Sequence, residues 1–258
     1  MSRIASVFTK PNHTALIPYL TVGYPSVKTT LKVVPLLASS GCDIIELGIP
    51  FSDPLADGAT IQQASYQALA QGVTPKLCFD VAQKLRQQVE IPLVFMTYYN
   101  PVLKFGLEEF CSKCAEVGVD GLIIPDLPPD EGEELGQSTQ KHKLDLIYLL
   151  TPASTEKRID LVASRSSGFI YLVSLTGVTG ARDKLPEGLE SFVTHVRERT
   201  PKPLCVGFGV STPEQAQRVA RVADGVIVGS RIIQLMEEDT TFASLKAFAS
   251  SLREALGQ

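Results

Sequence analysis

A short apolar run, then a turn, then an amphipathic segment recurs along this chain. The apolar runs are rich in β-branched and aromatic residues and lack strict alternation of polar and apolar positions, as is typical of parallel strands covered on both faces. They predict eight strands, within residues 15–23, 43–49, 91–99, 120–126, 144–151, 168–174, 202–209 and 223–230.

Helical periodicity fills most of the intervals between these strands. It predicts helices within residues 26–40, 75–88, 107–117, 131–142, 156–164, 189–199, 213–222 and 242–256, and one that begins near Thr60. Eight alternating strand–helix units predict an α/β fold, a (β/α)8 TIM barrel, as one domain over residues 1–258. A doubly wound open sheet is the alternative, but no G-x-G-x-x-G follows the first strand.

Composition narrows the functional class. The chain has 258 residues, is 44% hydrophobic and 20% charged, and carries a net charge of −4 with both signs dispersed. These values indicate a soluble globular protein without the basic stripe of a nucleic-acid binder. No apolar run approaches the roughly 18 residues that span a membrane, and the first residues lack the apolar core of a signal peptide. We therefore expect a cytoplasmic protein.

The five cysteines do not form a recognisable metal or disulfide pattern. An odd number of cysteines in a chain of this length indicates free thiols in a reducing compartment. Cys111 and Cys114 form a CxxC, but it lies in a predicted helix without a second cysteine pair or a nearby histidine. We expect two small helix residues and no metal site there.

A glutamate interrupts the second predicted strand, in the segment IELGIPFSDP. Alternation places Glu46 opposite the aliphatic residues Ile45 and Leu47, which we expect to contact the outer helices. Glu46 then points into the barrel lumen, where no lysine or arginine of another strand is available to pair with it. A desolvated carboxyl has a raised pKa, which suits a group that exchanges protons near neutral pH.

The loops after the strands hold the other candidates, because barrel enzymes carry their chemistry at the carboxyl ends of the strands. Asp53 and Asp57 follow the second strand, although each could also be an ordinary turn residue before Pro or Gly. The last two strands end in GFGVST and IVGSRI. Gly207, Gly209 and Gly229 leave room for an anion, and Ser230 can begin a helix, so these loops predict a phosphate site.

Four segments carry a family resemblance: IELGIPFSDPLADGATIQ, YLVSLTGVTGAR, VGFGVSTPEQ and DGVIVGSRI. In this order they resemble the tryptophan synthase alpha chain family. The resemblance runs along the chain from an extra N-terminal helix to the C-terminal helix. The resemblance implies a carbon–carbon lyase of tryptophan biosynthesis that cleaves indole-3-glycerol phosphate to indole and glyceraldehyde 3-phosphate by a retro-aldol reaction. It implies no metal or organic cofactor in this chain. Pyridoxal phosphate is expected only in the beta chain, the partner in an α2β2 heterotetramer.

Matching the motifs residue by residue gives the roles that the resemblance implies. Glu46 and Asp57 take the catalytic positions, and Tyr171 lines the site opposite Glu46. The phosphate-binding positions are Gly180, Phe208, Gly209, Gly229 and Ser230. The indole pocket positions are Tyr19, Tyr98, Ile123 and Leu149, and Thr179 belongs to a mobile loop that contacts the aspartate on closing.

Two positions depart from the pattern of the family. Tyr19 stands where a phenylalanine is common and adds a hydroxyl to the pocket wall. Leu175 stands where some members have an arginine.

Two other functions stay open from the sequence. The chain could be a free-standing indole-3-glycerol-phosphate lyase, because similar plant chains work without a partner; a plant source would place it in the plastid stroma. It could instead be a catalytically silent subunit that only activates the beta chain. The intact Glu46 and Asp57 argue against the silent subunit, and indole release with and without a beta chain would separate the readings.

Overall fold

The computed structural model describes residues 1–173, 188–207 and 209–257. Its strands are β1 Ala15–Thr21, β2 Ile45–Gly48, β3 Leu93–Met96, β4 Gly121–Ile123, β5 Asp145–Ile147, β6 Leu149–Leu150, β7 Ile170–Val173, β8 Leu204–Gly207 and β9 Gly225–Val228. Each predicted strand region contains at least one of them.

The helices alternate with these strands. They are α1 Arg3–Val7, α2 Val27–Ser39, α3 Ala59–Ala70, α4 Pro75–Arg86, α5 Tyr99–Phe105, α6 Leu107–Glu116, α7 Glu133–Lys141, α8 Glu156–Arg165, α9 Leu189–Arg197, α10 Pro213–Ala220, α11 Ser230–Glu238 and α12 Ala243–Ala255. Local sequence starts several of them; Thr212, for example, begins α10 in a capping box with Gln215, followed by Pro213.

All nine strands pair in parallel, in the order β5-β4-β3-β2-β1-β9-β8-β7-β6. The two strands at the ends of this order, β5 and β6, are consecutive in the chain and are separated only by Tyr148. The sheet therefore curls into a nearly closed barrel with helices outside, and the predicted (β/α)8 TIM barrel is confirmed.

Tyr148 divides the fifth predicted strand, residues 144–151, into two. The Tyr148 backbone N–H donates to the side chain of Ser166 at 3.0 Å, while its carbonyl accepts from Tyr171 N–H at 3.1 Å. The Tyr148 N–H therefore donates to a side chain and not to the backbone of a neighbouring strand. One predicted strand becomes β5 and β6 for this reason.

The prediction of strand over residues 91–99 was too long. β3 ends at Met96, and helix α5 begins at Tyr99. The carboxylate of Asp126 accepts the Tyr99 N–H at 2.8 Å and so caps the first turn of this helix. Tyrosines favour strands locally, but here a contact from 27 positions further along the chain decides the structure.

Alternate residues of the strands build two apolar layers. Outward side chains such as Leu47, Phe95 and Leu172 belong to the layer between strands and helices. Inward side chains such as Ile17, Val94 and Tyr171 fill the barrel lumen. Helix α1 joins the inner layer through Ile4 and Val7, which closes the amino-terminal end of the barrel and leaves the other end for chemistry.

Aspartates stand just before several strands at the amino-terminal end of the barrel. Their carboxylates accept backbone N–H groups of the neighbouring strand: Asp43 from Leu16 at 2.9 Å, Asp120 from Leu93 at 2.9 Å and Asp224 from Leu204 at 2.7 Å. These bonds tie adjacent strands together far from the carboxyl ends.

Candidate active site

Glu46 lies in the barrel lumen with no exposed surface. Its neighbours on β2, Ile45 and Leu47, belong to the outer apolar layer, as the alternation predicted. Among the described residues, neither carboxylate oxygen of Glu46 has a hydrogen-bond partner. Burial alone raises its pKa to about 8, so an uncharged, protonated carboxyl is favoured at neutral pH.

Two tyrosines of the inner layer reach across to glycines on neighbouring strands. Tyr19 is paired in register with Glu46, and its hydroxyl lies 2.1 Å from where a Cβ on Gly48 would stand. The hydroxyl of Tyr171 lies 2.3 Å from the corresponding position on Gly207. Any larger residue at either glycine would displace a tyrosine hydroxyl, so the two glycines make room for this pair.

Both tyrosines are almost fully buried, and the pKa of each is raised well above its usual value. Burial is the main cause for both. Negative charge on Asp57 and on Glu46 adds to it. Tyr19 and Tyr171 are therefore protonated hydrogen-bond donors within electrostatic reach of both carboxyls.

Asp57 follows β2 in the loop that leads to α3, and it is 5% exposed. Burial raises its pKa to about 6, while a hydrogen bond from Tyr98 counteracts part of this shift. The Tyr98 hydroxyl also accepts the Ala56 N–H at 2.9 Å, and its ring stacks on Phe51 with centroids 5.3 Å apart. The sequence assigned Tyr98 to the pocket wall; the structure also joins it to the loop that carries Asp57.

The remaining predicted pocket residues lie on the inner face of the barrel. Ile123 on β4 is fully buried in the lumenal layer, and Leu149 on β6 packs against that layer from a half-buried position. Leu149 is paired in register with Tyr171. Both contribute apolar surface to the lumen.

Sequence reasoning missed two residues of this region. Thr21 is fully buried, and its hydroxyl lies 3.4 Å from that of Tyr19. Cys205 is paired in register with Tyr171. Burial raises the pKa of Cys205 most, the charge of Asp224 next, and the charge of Glu46 adds to both. The alternation of β1 and β8 places both positions on the inner face and could have indicated them.

The predicted phosphate site lies where two adjacent strands end. β8 ends at Gly207 and β9 at Val228, and these strands pair with each other. Gly209 has a φ of 91°, a backbone conformation that favours glycine, and Gly229 precedes α11, whose first residue is Ser230. The N-cap residue Gly229 has no side chain to cap α11, so the first N–H groups of this helix can donate hydrogen bonds to an anion.

Several predicted residues lie outside the described part of the chain. These are Gly180 and Phe208 of the phosphate site, Thr179 of the mobile loop, and Leu175. Their predicted roles stay predictions.

Within residues 1–173, 188–207 and 209–257, no three His, Cys, Asp or Glu side chains are grouped so that they could hold a metal ion. Cys111 and Cys114 are both buried on α6 as free thiols. No described helix is long and apolar enough to cross a membrane. The predicted absence of a cofactor and the cytoplasmic location stay predictions.

The described geometry suits acid–base chemistry on a bound organic molecule. A neutral carboxyl sits deep in an apolar lumen, and a second carboxyl, which ionises more readily, lies in the loop above β2. Two carboxyls with different pKa values can take different roles in one reaction. The helix end at Ser230 offers a site for a distant anionic group.

Comparison with known proteins gives one consistent family. The model of the tryptophan synthase alpha chain family matches residues 6–255. The chain is 57% identical to the tryptophan synthase alpha chain of Dehalococcoides mccartyi, over 99% of this chain and 100% of that one. It is 48% identical to that of Geobacter sulfurreducens, over the full length of both.

Solved structures agree with this family. The tryptophan synthase structure from Mycobacterium tuberculosis matches with a TM-score of 0.93 at 38% identity, covering 100% of this chain and 99% of that one. The resemblance in the sequence motifs is thereby confirmed. The chain belongs to the tryptophan synthase alpha chain family and is a carbon–carbon lyase of tryptophan biosynthesis.

Proposed function

We propose that this chain cleaves indole-3-glycerol phosphate to indole and glyceraldehyde 3-phosphate, with Glu46 as the proton-transfer group. The observation that carries this assignment is the fully buried, unpaired carboxyl of Glu46, whose pKa of about 8 keeps it protonated at neutral pH. A group with a pKa near the working pH is suited both to give and to take a proton.

The reaction needs two proton transfers that balance. Glu46 gives its proton to C3 of the indole ring, which leaves the ring positively charged. The Glu46 carboxylate then removes the proton of the hydroxyl next to C3. The bond between C3 and the side chain breaks, its electron pair neutralises the ring, and the side chain leaves as an aldehyde. Glu46 ends protonated, as it began.

Asp57 stabilises the charge that develops on the ring. Its pKa of about 6 leaves it mostly ionised at neutral pH, so it can accept the ring N–H and attract the positive charge. The buried, protonated hydroxyl of Tyr171 lies within electrostatic reach of Glu46 and fits a donor to the substrate hydroxyl.

The glycines after β8 and β9 and the start of α11 support binding of the substrate phosphate. Gly209, Gly229 and Ser230 supply backbone N–H groups and a hydroxyl at a helix N-terminus, where anions are favoured. Binding energy at the phosphate fixes the orientation of the reacting bond in the lumen. Phe208 and Gly180 complete this site in our proposal.

Glu46→Gln tests the assignment. The amide matches the carboxyl in size but cannot exchange the proton, so we expect indole release to fall by about 100-fold or more. Binding of glycerol 3-phosphate, measured by calorimetry, should stay the same. Near-normal indole release by a folded Glu46→Gln protein would refute the proposed role.

We further infer that the chain acts as the alpha subunit of an α2β2 synthase and passes indole to a beta chain. Leu55 is 90% exposed at the turn before Asp57, and Leu103 on α5 is 53% exposed. A groove of about 590 Å³ is lined by Phe51 of the same loop and by Pro101 and Lys104 of α5, among others. Exposed apolar side chains on the loop and the helix that also line this groove support a partner surface.

Indole release measured with and without a beta chain from the same source separates the three functions. Slow release that the partner strongly stimulates supports the synthase subunit. Fast release by the chain alone supports a free-standing lyase. No release in either case leaves a silent activating subunit.

A further inference from the structure

The loop that carries Asp57 is held mainly by its own segment and by helix α3, where the Gln62 side chain donates to the carbonyls of Asp57 at 2.9 Å and Pro54 at 3.3 Å. Its turn is closed locally by the Leu55 N–H on the Asp53 carbonyl at 2.9 Å and the Asp57 N–H on the Pro54 carbonyl at 3.1 Å. Leu55 at the tip is 90% exposed. These local bonds shape the turn but do not fix its distance from the lumen.

Tyr98 supplies the attachment across the barrel rim. Its hydroxyl accepts the Ala56 N–H at 2.9 Å, a contact between residues 42 positions apart. The same hydroxyl hydrogen-bonds the Asp57 carboxylate and stabilises its charged form. One hydroxyl thus holds both the backbone and the side chain of the Ala56–Asp57 unit. The ring reinforces this by stacking on Phe51, at the start of the loop.

Tyr98 is buried, and the residues on both sides of it are hydrogen-bonded to neighbouring segments. It is 5% exposed and immediately precedes α5, whose first N–H, on Tyr99, donates to the Asp126 carboxylate at 2.8 Å. The backbone N–H of Thr97 donates to the Ile123 carbonyl at 3.1 Å. The segments that follow β2, β3 and β4 are therefore connected in series through Tyr98.

From these contacts we propose that Tyr98 is a positioning residue for Asp57, which sets the place and the charge of that carboxylate instead of serving only as pocket wall. The inference rests on the proposed catalytic role of Asp57. A donor to a carboxylate favours its ionised form, and a fixed carboxylate can meet charge on the substrate ring without reorganising.

Tyr98→Phe removes the hydroxyl and keeps the ring on Phe51. We expect kcat for indole release to fall by about 10-fold with little change in KM, because the loss of one donor affects charge stabilisation more than binding. In the Asp57→Asn background the same change should have almost no further effect, since the two groups act as a unit. Asp126→Ala should lower kcat in the same direction, by a smaller factor.

The dependence of kcat on pH is a second measurement, and loss of a merely structural contact would not shift it. Among the described residues, the titratable side chains coupled to Asp57 are Tyr19, Tyr98 and Tyr171, and the pKa of each is raised above its usual value. These tyrosines stay protonated near neutral pH. A fall in kcat near pH 6, the acid limb of the pH profile, therefore belongs to Asp57. Tyr98→Phe should move that limb to higher pH.

Tyr148→Phe is the matched control, because it removes the hydroxyl of another buried tyrosine that lies in the outer layer. It should leave kcat and the acid limb unchanged. Equal effects of both variants, or full additivity of Tyr98→Phe with Asp57→Asn, would overturn the positioning role. A rise in KM alone would also overturn it and leave Tyr98 as pocket wall.

Hydrogen exchange keeps this test separate from the proposed function. The Ala56 amide should exchange faster in Tyr98→Phe than in the unaltered chain, whether or not indole is released. Unchanged exchange would refute the attachment itself. An unaltered chain that releases no indole, but shows the faster exchange in the variant, would contradict the proposed reaction and not the attachment.

Discussion

Glu46 and Asp57 share one environment but ionise at different pH. Burial raises the pKa of Glu46 to about 8 and that of Asp57 to about 6. The difference follows from the more complete burial of Glu46 and, second, from the hydrogen bond that Tyr98 gives to Asp57, while Glu46 has no partner among the described residues. Between these two values Glu46 holds its proton and Asp57 has lost its own, which is the pairing that the proposed reaction requires.

We therefore expect a bell-shaped dependence of kcat/KM on pH, with limbs near 6 and 8. Below the lower limb Asp57 takes up a proton and loses its charge; above the upper limb Glu46 loses the proton that it must give to the ring. Steady-state kinetics between pH 5 and 9 would measure both. In Asp57→Asn the acid limb should disappear while the alkaline limb stays. An acid limb that persists in that variant would assign it to another group.

The sequence predicts some of these residues better than others, for physical reasons. The inner position of Glu46 follows from side-chain alternation in one short strand, which is a local property. The attachment of Asp57 to Tyr98 depends on a contact across 42 positions and on where α5 begins, so no local pattern contains it. The raised pKa of Glu46 was predictable from the sequence. The hydrogen bond from Tyr98 that offsets part of the rise in the pKa of Asp57 was not.

At the scale of elements, the strands are tied together by carboxylates at their amino-terminal ends. Asp120 has three such partners: it accepts the Leu93 N–H at 2.9 Å and pairs with Arg86 at 2.9 Å and with Arg3 at 2.9 Å. Its side chain is 8% exposed, so the pair with the largely buried Arg86 is protected from solvent. These contacts bridge β3, β4, α1 and α4.

Asp120→Asn should lower the free energy of unfolding by about 2–4 kcal/mol, because it leaves a buried arginine without its counter-charge. Urea denaturation would measure this loss. The exposed pair between Asp130 and Arg158 is the control, and Asp130→Asn should cost less than about 1 kcal/mol. Both folded variants should keep the KM of the unaltered chain. Equal losses of stability would show that burial of the Asp120 pair is unimportant.

Element boundaries show where local sequence stops being informative. The prediction of strand to residue 99 failed because Tyr98 and Tyr99 favour strands, while Asp126 caps a helix at that point. The break at Tyr148 depends on Ser166, 18 positions later. In both places a side chain from a distant segment bonds a backbone N–H, and the element changes there.

In the whole molecule, the residues that tie the strands together and the residues of the candidate site lie at different ends of the barrel. Anchoring aspartates and helix α1 lie at the amino-terminal end of the barrel, while Glu46, Asp57 and the glycines after β8 and β9 lie toward the carboxyl end. The recurrence of strand and helix made the barrel predictable from sequence, because parallel strands with outer helices have few ways to close. This division leaves the carboxyl end available for a partner as well as for substrate.

The proposed partner surface includes Leu103 on α5, the helix that begins directly after Tyr98. We expect Leu103→Ser to weaken stimulation of indole release by the beta chain, since an apolar contact would be lost from the interface, while release by the chain alone stays unchanged. Titration of the beta chain against a fixed amount of each variant would measure the concentration for half-maximal stimulation, which should rise by about 10-fold.

Tyr66→Ser provides the comparison for this last experiment. Tyr66 is 74% exposed on α3, so its loss also removes an exposed apolar side chain but leaves Leu103 and the groove beside Phe51 intact. An equal shift for both variants would mean that exposed apolar area in general, and not the surface around α5, governs the association. A shift for Leu103→Ser alone would join the partner surface, through α5 and Tyr98, to the loop that holds Asp57.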